Sequence, residues 1–558
     1  MTLLALRSGG RWFADNFRGL RVVLVPACFL AVLFVWPVLR LLALGFGDEA
    51  GPFHSYLRVF TVPAYREAIL TTFGIALAVT VLSVLLAYPV AYLMATVSPR
   101  MARILGIGVL LPFWTSALVR TTAWIMLLER YGMLNSILMR AHLIRHPVAF
   151  VYNMSGVLIG MSHVLMPFVV FPLYTAFRGL DRNLVQAAML LGAGPLTLCR
   201  KIFIPLTAPG ALAGANIVFM SALGYYITPA LMGGPAQTMV SQLISFNVSE
   251  QLDWGMAGAL SGVMLVLTLA AFFLCRGVLE KRLKGRVVTA ARPYGEGLSG
   301  RSGAGWGMVV AGCAVMIFLL APIVIVFPMS VSASPILMFP PHGLSFRWYH
   351  ELLSRPQWAA AFFNSLKVAL IAVPVATVLG TLAAIGLARM KGTLAQILEG
   401  LFILPMVVPA IILAVGLYYQ LTPFGLTRGY WGLGLGQAVI AMPFVFLTVQ
   451  AALRGFSRDL ELAAMSLGAG WLSVMGRIVL PALMPAIVSG AIFAFITSFD
   501  DVILALFLTD VRARTLSRLI YENVLQDVSP TITAVAVLVI VLTLGLLLSS
   551  LLFQREKS

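Results

Sequence analysis

The chain has 558 residues, 60% of them hydrophobic and 10% charged, with a net charge of +18. That composition excludes an ordinary soluble globular domain and places nearly the whole chain in a membrane. The excess Lys and Arg sit in short loops, where they face cytoplasm and anionic lipid. No basic, aromatic-interleaved soluble face exists, so nucleic acid is not expected as a partner.

Arg7, Arg11, Arg18 and Arg21 precede an apolar run from Val22 to Phe46. The run is too long for a signal-peptide core and predicts an uncleaved first helix with its amino end in the cytoplasm. A membrane helix needs about 20 apolar residues. Five more such stretches fall near 68–97, 101–128, 155–177, 208–232 and 256–275. A second set falls near 307–331, 362–388, 395–421, 430–453, 484–508 and 531–553. The expected fold is an all-α membrane protein of about 12 transmembrane helices, built as two parallel six-helix halves.

The expected domains follow. Residues 1–21 form a cytoplasmic amino-terminal segment, 22–275 the first transmembrane domain and 306–553 the second. Residues 276–305, holding Arg276, Lys281, Arg282, Lys284, Arg286, Arg292 and Arg301, read as a flexible basic linker on the cytoplasmic side, and 554–558 as a tail. Arg100, Arg103, Arg389 and Lys391 follow the second and eighth spans, and all fall inside if the amino terminus is inside.

Cys28, Cys199, Cys275 and Cys313 make no CxxC pair and are expected as buried small residues. His142 and His146 stand at i, i+4 with no third ligand, so no metal site is expected. No Gly-Lys dipeptide occurs, so the chain has no phosphate-cradling loop of its own. There is no HExxH or GxSxG either. Enzyme activity and a bound cofactor are not expected, and energy must come from a partner or an ion gradient.

One loop occurs twice. Gln186-Ala187-Ala188-Met189-Leu190-Leu191-Gly192 is followed after nine residues by Ile202-Phe203-Ile204-Pro205. Leu462-Ala463-Ala464-Met465-Ser466-Leu467-Gly468 is followed after the same gap by Ile478-Val479-Leu480-Pro481. Leu184, Ala187, Ala188 and Leu191 share one helical face, which predicts a short helix along the membrane with an apolar side free for a partner's groove. The loops repeat at an offset of 276 residues, whereas Thr71-Thr72-Phe73 and Asn364-Ser365-Leu366 repeat at 293. The difference of 17 predicts extra material in the first half, in the outer loop around Met139 to Phe150.

These loops resemble the EAA loop (Glu-Ala-Ala, three residues, Gly, nine residues, Ile-x-Leu-Pro) of permease subunits in binding-protein-dependent ABC importers. The resemblance implies the type I importer fold, with each loop a coupling helix for one of two ATPase subunits. It also implies a periplasmic or lipid-anchored binding protein. Gln186, Ala187, Ala188, Gly192, Ile202 and Pro205 would carry the first loop. Leu462, Ala463, Ala464, Gly468, Ile478 and Pro481 would carry the second. The family Glu is Gln186 in one copy and Leu462 in the other, where Glu461 stands one place early, and Ile204 replaces the usual Leu.

The eleventh span carries Asp500 and Asp501. A carboxylate at mid-membrane costs roughly 2.5–3.5 kcal/mol on insertion scales, so such groups face a pathway or a partner. Adjacent helical positions diverge, so one of the two can face cargo while the other caps, pairs or sits protonated. Tyr225 and Tyr226 hold the corresponding place in the first half, where cation–π contact would suit an amine, or the rings simply pack. Arg120 and Trp124 lie in the third span. Arg120 can pair with Glu129, pair with an aspartate, or snorkel outward.

"LPFWTSALVRTTAWI", "YNMSGVLIGM", "FPLYTAF" and "ITPALMGGP" look like one subunit of the spermidine/putrescine-type permeases, and "SFDDVILALFLT" like the other. This implies a fusion of two subunits that imports a small amine. Related permeases carry aminophosphonates or ferric iron. A proton-coupled carrier using Asp500 or Asp501 is the competing reading, but such a carrier needs no duplicated loop.

Overall fold

The computed structural model describes residues 19–47, 51–284, 306–334, 343–526 and 530–555. The expectations for residues 1–18, for 285–305 of the linker and for 556–558 lie outside the described residues. Within them the chain is helical and no strand forms; the Ser332–Leu344 bridge is isolated. Lipid offers no hydrogen bonds, so each apolar stretch must satisfy its backbone within itself, and a helix does so.

Among the described residues, eight helices are long and apolar enough to cross a membrane. Gly19–Leu44, Pro63–Thr96, Pro195–Leu223 and Trp254–Cys275 come from the first half of the chain. Trp306–Ser330, Pro356–Leu387, Tyr430–Gly455 and Trp471–Asp500 come from the second. The fourth stretch is a bent pair, Met154–Leu165 with Pro167–Arg178, at 50°. The twelfth is the helix Pro530–Arg555.

The third and ninth stretches depart from straight spans. Pro99–Pro112 meets Ala117–Arg140 at 89°, and Thr393–Val407 meets Ala410–Phe424 at 96°. The turning residues repeat: Ser116 has φ −52° and ψ 136°, and Pro409 has φ −52° and ψ 129°. Pro112 and Pro405 stand in the last turn of the preceding helices, where a missing N–H weakens the ladder. Hydropathy registers apolar length but not direction. The fifth and eleventh stretches also end early, at Leu223 and Asp500, and continue as the short helices Ile227–Met232 and Ile503–Leu508.

The offset changes where the sequence suggests. Residues 129–153 separate Leu128 from the helix at Met154, whereas only 422–429 separate Leu421 from the helix at Tyr430. The additional residues include the helix Met133–Arg140, and Asn135 ties them together by donating to the Val148 carbonyl at 2.9 Å.

The chain forms two compact units that exchange segments of the sequence. One comprises residues 48–354 and 522–543. There Trp306–Ser330 packs on Pro63–Thr96, Pro99–Trp114 and Ala117–Leu128. The other comprises residues 1–47, 355–521 and 544–558. There Gly19–Leu44 meets Ala410–Leu421, with Gln420 Nε2 donating to the Val32 carbonyl at 3.4 Å and Arg40 lying over the Tyr419 ring. Each unit has the same tight helix crossing. A Cβ on Gly214 would stand 2.7 Å from Val169 Cα, and one on Gly490 would stand 3.0 Å from Val445 Cα. Both pairs are related by the 276-residue offset, so the small residue keeps one close crossing in both units.

The four cysteines are free thiols. Cys28 and Cys313 are exposed and Cys199 and Cys275 half-buried, which corrects the expectation that all are buried. They lie on helix surfaces, and their apolar setting in the sequence does not distinguish a core-facing side from an outward one.

Candidate functional site

Each repeated loop is built the same way. The helices Arg182–Leu190 and Arg458–Ser466 begin behind Asp181 and Ser457. Asp181 accepts from the Asn183 amide at 2.9 Å, and Ser457 accepts from the Asp459 amide at 3.3 Å. Side-chain oxygens at this position satisfy donors that the first turn leaves open. Both helices stop at a left-handed glycine, Gly192 at φ +81° and Gly468 at φ +86°. The Ala193 amide reaches back to the Ala188 carbonyl and the Ala469 amide to Ala464, each a Schellman closure. Short helices Pro195–Leu198 and Trp471–Val474 follow, then π-turns Cys199–Phe203 and Met475–Val479 that lead into the long spans.

The loops present leucine outward. Leu190, Leu191 and Leu467 are each 89% exposed. Leu184, Leu196, Leu460 and Leu472 are exposed as well. Gln186, Ala187, Gly192, Leu462, Ala463, Gly468 and Pro481 are exposed, while Ala188, Ile202, Pro205, Ala464 and Ile478 are half-buried. Glu461 does not point away from the protein. It accepts from Arg389 Nη2 at 3.0 Å.

A second repeated construction sits beyond the ends of the fifth and eleventh spans. The Val240 amide donates to Thr72 Oγ1 at 3.0 Å, and the Leu516 amide donates to Ser365 Oγ at 2.8 Å. Ser241 donates to the Tyr225 carbonyl and Ser517 to the Asp501 carbonyl, each at 2.7 Å. These bonds give the paired Thr72 and Ser365 motifs a physical reason: each hydroxyl caps a helix that follows the span break.

Asp501 accepts from Gln437 Nε2 at 3.0 Å and from the Leu504 amide at 3.3 Å, so it caps Ile503–Leu508. Ser498 donates to Gln437 Oε1 at 2.6 Å. Asp500 is half-buried beside it. In the other unit Tyr225 is half-buried, and the Tyr226 hydroxyl lies 3.4 Å from Ser245 Oγ. Arg120 is 4% exposed, so it does not snorkel outward; every residue of Ala117–Leu128 is buried. Trp124 packs against His163 and Phe318, with ring centroids at 5.5 and 5.0 Å. His163 Nε2 donates to the Leu319 carbonyl at 3.0 Å.

His163 and Gln437 are absent from the sequence-derived site. A polar side chain inside an apolar span was the available signal for both. Arg389 was visible only as one charge of a basic turn.

A family model, the inner membrane component of binding-protein-dependent transport systems, matches this chain twice, over residues 87–287 and 376–557. The chain belongs to that family. The doubled match makes it a fusion of two such inner membrane components, hence a multi-pass inner-membrane transport protein. Among relatives, it is 31% identical over 233 residues to the spermidine/putrescine transport system permease protein PotB of Escherichia coli (strain K12), covering 41% of this chain and 84% of that one. It is 33% identical over 216 residues to the permease protein PotC of the same kind of system in Haemophilus influenzae, covering 39% of this chain and 84% of that one. One solved structure aligned to it is that of a bacterial ABC transporter involved in the import of the acidic polysaccharide alginate. That match has 16% identity and a TM-score of 0.37, and covers 48% of this chain and 100% of the other.

Proposed function

We propose that this chain is the permease of an ATP-driven importer, and that it receives a polyamine or similar small amine from a periplasmic or lipid-anchored binding protein. The observation that carries the ATP-driven part is the pair of loops with matching caps, matching left-handed glycines and matching exposed leucines. Two equal apolar levers suit two equal grooves, as an ATPase dimer provides. The amine follows from the named substrates of the PotB and PotC relatives.

In this reading the amino terminus and both loops face the cytoplasm, and the membrane lipid surrounds the spans. Hydrolysis takes place in the separate ATPase subunits. Nucleotide binding draws the two ATPase subunits together, the loops follow, and the spans pass from inward-facing to outward-facing. The binding protein then delivers cargo, with Asp500, Tyr225 and Tyr226 as contacts along the path. Hydrolysis restores the inward state. The nucleotide acts by favouring one of two conformations.

The test is uptake of labelled spermidine or putrescine into proteoliposomes that hold this chain with its ATPase and binding protein. Uptake should require ATP inside and persist with a protonophore. Replacing Leu190, Leu191 and Leu467 by Ser should abolish co-purification of the ATPase; undiminished recovery would refute the docking assignment.

A further inference from the structure

The two loops are fastened to their own halves by different chemistry. In the first half the attachment is aromatic. Tyr88 and Tyr92 from Pro63–Thr96 meet Phe177, and Phe203 closes the cluster from the end of the π-turn. Ring centroids lie 5.2 Å apart for Tyr88–Phe177, 5.8 Å for Tyr92–Phe177 and for Tyr92–Phe203, and 6.1 Å for Phe177–Phe203. Tyr92, Phe177 and Phe203 are fully buried.

The repeat places Thr381, Ile385, Leu453 and Val479 at those four positions. Smaller side chains leave a cavity of about 80 Å³, lined by Ile385, Leu453, Phe456, Val479, Arg389 and Glu461 among others. Beside it stands the ion pair. The Arg389 and Glu461 side chains are 16% and 13% exposed. The same guanidinium lies 5.6 Å from the Trp471 ring centroid and 3.5 Å from Met475 Sδ. Arg389 thus reaches the loop helix through Glu461, the short helix through Trp471 and the π-turn through Met475. It stands just past the end of Pro356–Leu387. In the first half the matching residues are Thr96, Val185, Pro195 and Cys199. Thr96 turns its hydroxyl back onto its own helix, at 3.1 Å from the Tyr92 carbonyl, and Val185 is buried.

We propose that Arg389 is the positioning residue that links the second loop to the eighth span. It does with one largely buried ion pair what four aromatic rings do in the first half. The inference rests on the loops being docking elements for an ATPase. A close-packed cluster transmits displacement because it does not compress; a cavity gives way. The second linkage therefore depends on the ion pair. A shielded pair is costly to break one partner at a time, because the remaining charge stays poorly solvated.

The experiment uses the complete transporter in proteoliposomes and reads solute imported per ATP hydrolysed, with ATPase recovery measured alongside. Arg389→Ala should retain the ATPase while solute per ATP falls about fivefold or more, a coupling loss of ordinary allosteric size. The exchange Arg389→Glu with Glu461→Arg should recover much of the ratio, which a merely space-filling role would not allow. An unchanged ratio in Arg389→Ala overturns the proposal. So does an exchanged pair that retains the ATPase yet couples no better than Arg389→Ala. Failure of the docking assignment reads differently, as ATPase recovery that survives replacement of Leu190, Leu191 and Leu467.

Discussion

Asp501 sits where an apolar span breaks, and every contact described for its carboxylate is to a donor from the protein. Gln437 Nε2 and the Leu504 amide donate to it, while Ser498 holds Gln437 from the other side. An isolated carboxylate at this depth is costly, and these donors offset that cost while capping Ile503–Leu508. Gln437 is fully buried, so Asp501→Ala leaves an amide donor without its partner. The expected cost is about 1–3 kcal/mol. It should appear as a lower melting temperature of the purified protein in detergent. Equal melting of Asp501→Ala and the unaltered protein would show that the carboxylate holds nothing in place. The sequence called for one of the two aspartates to cap, pair or sit protonated; that Asp501 is held by a side-chain amide depends on Gln437, 64 residues away.

Two short helices, His54–Thr61 and Arg347–Ser354, precede the second and eighth spans with one residue between. They are related by the 293-residue offset and expose the same stripe. Phe53, Leu57 and Phe60 are exposed on one, and Phe346, His350 and Leu353 on the other, while Val59, Trp348 and Leu352 are buried beneath. Attachment to the first turn of an apolar span is expected to hold each stripe near the membrane surface, where an apolar face can enter the headgroup boundary. A nitroxide on a cysteine at Leu57 or Leu353, with the four native cysteines replaced, should be relaxed more by oxygen than by a water-soluble nickel chelate. The reverse order would place these helices in water. Elements of this kind were partly legible. The loop repeat could be read because caps, left-handed glycines and prolines act on their immediate neighbours. The bends at Ser116 and Pro409 were signalled by proline but lost in hydropathy. The aromatic cluster at Tyr92 and the cavity at Ile385 were not legible, because they depend on which distant segments meet.

At the scale of the molecule, each compact unit is completed by a helix from the other half of the sequence. Gly312, in Trp306–Ser330, lies so close to Pro63–Thr96 that a Cβ would stand 2.8 Å from the Pro89 carbonyl oxygen. That helix also supplies the Leu319 carbonyl to His163 and the Phe318 ring to Trp124. Gly19–Leu44 covers Ala410–Leu421, where a Cβ on Gly416 would stand 2.9 Å from the Pro37 carbonyl oxygen. Cutting the chain within 285–305 therefore leaves neither fragment with a full unit. The first fragment keeps His163 buried without its acceptor, and the second exposes the seam at Gly416. Small-residue seams gain their stability from close contact, and lipid cannot reproduce that fit. The two fragments expressed together should co-purify and import solute. Either one alone should be degraded or melt well below the pair. Fragments that are individually as heat-stable as the pair would mean that the exchanged helices contribute nothing. That outcome would also remove the physical reason for joining the halves in one chain, since the linker would then tether two units already complete in themselves.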